Sequence, residues 1–205
     1  MVSKLLLLGL LTVPGVPADP APDAVAKNSA MIVLGGDPAQ DRPKAFREES
    51  LTLPFAYAFV AQGSYSGLRL SFTTPDQDSD HYELELFIPS HAEFGIGHDR
   101  STGSFGVRSP GTPFILRSEA CADVVDRFGR PRPMMMKMIF WKRSGKNHWS
   151  PRSIDFDTCG IEVERLTVED GRLAFSGRFE CLSGKVGAAG RFDVEGGELG
   201  VSKVD

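Results

Sequence analysis

The residues best suited to bind a ligand form a basic segment in the second half of the chain. Positions 127 to 154 carry eight Lys and Arg residues and no Asp or Glu. Both Trp residues of the chain lie inside this segment. Cations beside indole rings are suited to an anionic polymer, a phosphate-bearing ligand or a sugar that stacks on Trp. The predicted ligand-binding residues are Trp141, Lys142, Arg143, Lys146, His148 and Trp149.

A purely structural role would also explain the basic segment. Residues 134–142 form a strongly apolar run of strand length. Lys and Arg often flank such a strand as gatekeepers against aggregation, while Trp and Met fill the core behind it. Charge runs are usually solvated, which favours this second interpretation. Both interpretations stay open at the level of sequence.

The basic segment should be positioned by a β-hairpin. Residues 134–157 contain two strand-like stretches, and Ser144 and Gly145 between them suit a turn. Folding the chain there places Trp141 beside His148, so that one face of the tip carries cations next to indole rings.

An acidic loop offers a second candidate site. Asp76, Asp78 and Asp80 stand at alternate positions, as carboxylates do in calcium-binding loops. The rest of that motif is missing, because His81 occupies the position of the obligatory Gly and Phe87 that of the terminal Glu. A solvated acidic loop between two strands is the favoured interpretation.

Two histidines and a carboxylate form a third candidate. His91, Glu93 and His98 could bind zinc if the glycine-rich stretch between them brings the three together. Neither H-E-x-x-H nor paired C-x-x-C accompanies them. Unliganded histidines beside a loop are therefore the favoured interpretation.

Recognisable nucleophile and phosphate-binding motifs are missing from the sequence. It contains no G-x-S-x-G and no P-loop. A pair of carboxylates for glycoside hydrolysis could still meet in space. The sequence therefore favours an extracytoplasmic binding or structural module that recognises an anionic polymer or glycan. The alternative is a secreted hydrolase on a β-scaffold with a His/carboxylate site. We expect no cofactor and no nucleic-acid partner.

Three cysteines suit an oxidising compartment and leave one thiol over. Cys159 and Cys181 fall opposite each other if residues 159–181 fold into a hairpin, at a distance that a disulfide can span. Cys121 is then free and buried, and its acidic neighbours would raise its thiol pKa. Pairings that involve Cys121 remain open, because sequence alone does not fix connectivity.

The register of this hairpin follows from its turn. A three-residue turn at residues 169–171, with Gly171 in the left-handed conformation, pairs residues whose numbers sum to 340. Val163 then faces Gly177, and Thr167 faces Leu173. A short echo follows, since residues 176–180 (SGRFE) recur as 189–193 (AGRFD). This echo predicts two neighbouring strands with the same inward Phe and the same tight glycine.

Alternation of apolar and polar residues predicts further strands. Residues 68–73 and 81–88 alternate strictly and should pair across the loop of residues 75–80. About ten short strands separated by turns indicate an all-β fold, either an antiparallel β-sandwich or a β-barrel.

The N-terminal residues have the pattern of an export signal. Residues 1–18 combine one positive charge, an apolar run and small residues before Asp19, as in a cleaved secretory signal peptide. Residues 19–29 are predicted to be a flexible leader, and residues 30–205 a single β-rich domain. The processed chain is expected to be secreted or periplasmic, without a membrane span, because no stretch is long enough.

Overall fold

The computed structural model describes residues 25–36, 50–63, 66–74, 81–125, 129–130, 134–143, 149–156, 158–184 and 186–204. Strands dominate these residues, and no α-helix occurs among them. Within the same ranges, no helix has the length and hydrophobicity that a membrane crossing requires. A short 3₁₀ turn covers Ser118–Cys121. The strands are β1 (Ser29–Gly36), β2 (Ser50–Gly63), β3 (Gly67–Thr73), β4 (His81–Pro89), β5 (Gly95–Asp99), β6 (Ser104–Arg108), β7 (Phe114–Arg117), β8 (Met135–Arg143), β9 (Trp149–Phe156), β10 (Thr158–Glu169), β11 (Arg172–Ser183) and β12 (Val186–Val204).

Ten of these strands form one strongly curled sheet, a half-barrel, in the order β7-β10-β11-β12-β1-β2-β3-β4-β8-β9. Neighbours in this order run antiparallel, and the end of β12 additionally pairs with β2 in parallel. β5 and β6 form a separate two-stranded hairpin. The all-β class predicted from the sequence is confirmed, and the sheet takes the form of a half-barrel.

The β5–β6 hairpin connects distant parts of the curled sheet. β5 contacts β2 and β3, while β6 contacts β10. Phe94 and Ile96 are fully buried at the start of the hairpin and belong to the same hydrophobic core as the half-barrel strands. The hairpin is therefore anchored by apolar burial at its base.

The β10–β11 hairpin carries the disulfide between Cys159 and Cys181, which confirms the predicted bridge. Cys121 is free and buried, and burial raises the pKa of its thiol. The hydroxyl of Ser118 accepts from the Cys159 amide at 2.6 Å. This bond fixes the 3₁₀ turn to β10 beside the bridge.

The predicted register is right near the bridge and wrong near the turn. The turn contains only Asp170 and Gly171, both with positive φ (50° and 71°), so it is one residue shorter than predicted. Leu173 therefore faces Val168 and not Thr167. A bulge after Val163 supplies the extra residue and restores the predicted pairing towards the cysteines.

The repeated pattern forms two neighbouring strands, as predicted. Phe179 on β11 faces Gly190 on β12, and Phe192 on β12 faces Gly177 on β11. Both rings are buried. Each copy therefore supplies the ring that covers the glycine of the other copy.

Two further hairpins form where alternation predicts them. In the β3–β4 pair, Leu68 faces Ile88 and Phe72 faces Leu84, which confirms that pairing. β8 and β9 also pair, but Trp141 faces Pro151. A turn at residues 144–145 would have placed Trp141 beside His148, so the chain reverses further from Trp141 than predicted. The residues between these two strands lie outside the described part of the chain.

The predicted signal peptide (1–18) and the first residues of the predicted leader lie outside the described residues. The end of the leader contacts the sheet. The carbonyl of Asn28 accepts from the Phe55 amide at 2.8 Å, and its side-chain oxygen accepts from the Glu195 amide at 2.9 Å. β1 begins directly afterwards, at Ser29.

Candidate functional site

The predicted ligand-binding residues belong to the β8–β9 hairpin. The residues on its strands are Trp141, Lys142, Arg143 and Trp149. Their side chains lie outside the described part of the structure, as do Lys146 and His148 entirely. β9 is the last strand of the sheet and pairs with β8. The hairpin therefore lies at a sheet edge, and its ligand-binding role stays a prediction.

The other two candidates differ in what the structure shows. The acidic loop of residues 76–80 lies outside the described residues. His91 and Glu93 lie between β4 and β5, and His98 lies on β5. No group of three or more His, Cys, Asp or Glu that could hold a metal ion exists among the residues that the structure describes. His91, Glu93 and His98 thus do not assemble into a zinc site.

A cavity of about 690 Å³ lies between the β5–β6 hairpin and the neighbouring ends of β2, β3 and β4. Part of the cavity is open because two of its lining residues are glycines without side chains. Gly97 and Gly106 face each other across the hairpin, and a Cβ atom built on either would have nothing within 4 Å. The polar side chains that line the cavity are Gln62, Ser66, Ser90, His98, Arg100 and Arg108.

Arg108 is held in place by backbone oxygens. One of its terminal nitrogens donates to the carbonyl of His91 and lies 3.5 Å from the carbonyl of Phe94. The same nitrogen lies 3.4 Å from the position that a Cβ atom would take on Gly95. A guanidinium group has five N–H donors, so several remain for a ligand while the carbonyls fix the plane of the group.

Two histidine nitrogens near the cavity are buried without a hydrogen-bond partner. They are Nδ1 of His98, whose ring packs 4.9 Å from that of Phe105, and Nε2 of His91. The other ring nitrogen of His91 accepts from the Glu93 amide at 3.2 Å. Buried polar atoms without partners are uncommon in folded proteins. His98 thus combines a side chain in the cavity wall with one buried, unsatisfied ring nitrogen.

Burial lowers the pKa of His91. Arg108 lowers it further, and the Glu93 carboxylate acts in the opposite direction. His91 supports the cavity through its backbone carbonyl, which accepts from Arg108.

The cavity wall has a positive charge balance. It contains Arg100, Arg108 and His98 but no Asp or Glu. Asp99 is the acid closest in sequence, and it accepts hydrogen bonds from the amide and hydroxyl of Ser101 at 2.8 and 2.7 Å. These bonds lower the pKa of Asp99 and satisfy its carboxylate locally. No ion pair with a carboxylate neutralises either cavity arginine among the described residues.

Of the titratable side chains that line the cavity, the sequence pointed only to His98, as a candidate metal ligand. Arg100 directly follows β5 and Arg108 is the last residue of β6, so the β5–β6 hairpin places both arginines in the cavity lining. A signal was present, because residues 100–108 contain two Arg and no Asp or Glu.

Comparisons of the chain with protein-family models, with curated proteins and with solved structures found no match.

Proposed function

We propose that the protein is an extracytoplasmic binding module for an anionic polymer or glycan. The observation that carries this proposal is the cavity beside the β5–β6 hairpin, which is lined by Arg100, Arg108 and His98 without any carboxylate. Guanidinium groups bind carboxylate, sulfate and phosphate through short, charge-assisted hydrogen bonds. An acidic group on the ligand would occupy this cavity.

The basic hairpin would extend the binding surface. Lys142 and Arg143 stand at the end of β8, directly before the segment that contains Lys146. A polymer with repeated charges engages several such cations at once, which raises its apparent affinity beyond that of one site. The cavity would bind one acidic group of the polymer, and the basic β8–β9 hairpin would attract its other charged groups.

The disulfide supports a location outside the cytoplasm. Disulfides form and persist mainly in oxidising compartments. The bridge between Cys159 and Cys181 is therefore in line with the export signal predicted at residues 1–18.

A hydrolase is the second functional class predicted from the sequence. It would need an acid or base beside the bound ligand. His98 is the only titratable side chain of that kind among the described residues that line the cavity, and no carboxylate there can act with it. The observed wall suits binding better than hydrolysis.

Calorimetric titration with a heparin hexasaccharide tests the proposal. Replacing Arg100 with Ala should weaken binding roughly tenfold or more, because a hydrogen bond to a charged group contributes about 1.5–3 kcal/mol. Raising the salt concentration should weaken the wild type more steeply than the variant.

The matched control is Arg117→Ala, which removes an exposed arginine at the end of β7, away from the cavity wall. Its affinity should stay within twofold of the wild type. Equal affinities of Arg100→Ala and the wild type, or no binding by the wild type, would contradict the proposal. Thermal melting of each variant shows whether the fold is retained.

A further inference from the structure

An aromatic surface lies on the outer face of the half-barrel. Tyr57 on β2 is 41% exposed, yet its hydroxyl lies 3.4 Å from Oε1 of Glu83 on β4. Two strand spacings amount to about 9.6 Å, so the side chain must extend across β3 to reach that carboxylate. Ser71, which forms the β3 rung next to Tyr57, is completely buried on that face. The Tyr57 side chain therefore extends across β3 and stays partly exposed to solvent.

Phe59 extends this surface along the same strand. Its ring plane is within 12° of that of Tyr57, and the two ring centroids are 5.8 Å apart. Side chains two residues apart on a strand share one face, so these rings lie side by side. Gly200 pairs with Phe59 from β12 and has no side chain that could cover the ring. The two rings are therefore nearly parallel and stacked.

Polar groups lie along one side of the rings. The carboxylate of Glu83 receives a hydrogen bond from the Ser71 hydroxyl at 2.8 Å. Beside it, Arg69 forms an ion pair with Glu85 at 2.8 Å and lies 5.8 Å from the centre of the Phe59 ring. The Glu85 charge is thus neutralised, whereas Glu83 is held by hydroxyl groups only. Oε2 of Glu83 has no partner among the described residues and is left to accept further hydrogen bonds.

We propose that this surface, formed by Tyr57, Phe59, Glu83 and Arg69, binds a neutral β-linked glycan. A pyranose with equatorial hydroxyls has a flat C–H face that packs on an aromatic ring, and its hydroxyls lie at the rim. A carboxylate and a guanidinium beside the ring supply the acceptor and donors that those hydroxyls require. Uncharged sugars suit the site because its one carboxylate without a cation would repel an acidic ligand.

The charge balance separates this outer site from the cavity on β5–β6. The cavity is lined by arginines without acids, whereas the outer site has two carboxylates and one arginine. β2 contributes residues to both sites, but the charged residues of the cavity lie on or beside β5 and β6, whereas those of the outer site lie on β3 and β4. The outer site can therefore be tested without altering the proposed anion site.

Saturation-transfer NMR and calorimetric titration with cellohexaose and chitohexaose test the proposal. Tyr57→Ala should reduce the affinity for the bound hexaose at least tenfold. Tyr57→Phe, which keeps the ring and loses only the long contact with Glu83, should change it less than threefold. Glu83→Gln should weaken binding while leaving saturation transfer from the aromatic protons detectable.

The control is heparin binding by the same Tyr57→Ala protein. Unchanged heparin affinity with lost hexaose affinity assigns the neutral glycan to the outer surface. Hexaose binding that is unaffected by Tyr57→Ala would overturn the proposal, and so would the failure of both hexaoses to bind the wild-type protein. Loss of heparin binding by Arg100→Ala with intact hexaose binding keeps the two sites distinct.

Discussion

Phe179 covers Gly190 from the neighbouring strand. The two residues face each other between β11 and β12, and Cζ of Phe179 lies 2.5 Å from the position that a Cβ atom would take on Gly190. The backbone oxygen of Met31 on β1 blocks the same position even more closely. The glycine is therefore needed for close packing of three consecutive strands in the middle of the half-barrel.

Gly190→Ala should strongly destabilise the protein. Overpacking typically costs about 1–3 kcal/mol. We expect about 3 kcal/mol or more here, because a backbone carbonyl in a central strand cannot move aside cheaply. Urea denaturation measures the free energy of unfolding. The matched control is Gly160→Ala on β10, where an added Cβ meets nothing within 4 Å. A loss for Gly190→Ala no larger than that of the control would refute the packing argument.

Removal of the disulfide should also lower stability. Closing the 22-residue separation between Cys159 and Cys181 restricts the unfolded chain by about 3 kcal/mol on the chain-entropy model. The double Cys159→Ala, Cys181→Ala variant should lose about that amount in urea denaturation. Cys121→Ala should keep the bridge, which peptide mapping without reduction detects. A disulfide-linked peptide that contains Cys121 in the wild type would contradict the assignment.

The sequence predicted the bridge because two local irregularities cancel. Asp170 adopts a positive φ, so that a two-residue turn replaces the three-residue turn that Glu169-Asp170-Gly171 indicates. The bulge after Val163 then moves the register back by one residue. The bulge also shifts the alternation of buried residues along β10. Val163 and Leu166 are both buried, although they are three positions apart on one strand. No residue type at this position indicates a bulge, so the predicted pairing of Thr167 with Leu173 was wrong.

The cavity was harder to predict than the strands. Alternation of residues 68–73 identifies β3 because one face of that strand is buried. β5 has glycines at alternate positions, β6 has one glycine at its centre, and both have a weak hydrophobic pattern, so local sequence gave little indication of a hairpin. Arg100 and Arg108 both line the cavity because the hairpin that carries them packs against β2 and β3, which are distant in sequence. Only the tertiary fold brings these groups together.

The basic hairpin provides the last test, because its two interpretations predict different results. If Lys142, Arg143 and Lys146 bind an anionic polymer, replacing all three with Ala should lower the salt concentration at which the protein elutes from a heparin column. If they only flank an apolar strand, elution should change no more than for a control with three exposed arginines replaced elsewhere, Arg117, Arg172 and Arg178. Losing three positive charges alters net charge equally in both variants, so the comparison isolates position from charge. Elution of the hairpin variant at the salt concentration of the control would leave the cavity as the anion site and assign the hairpin a structural role.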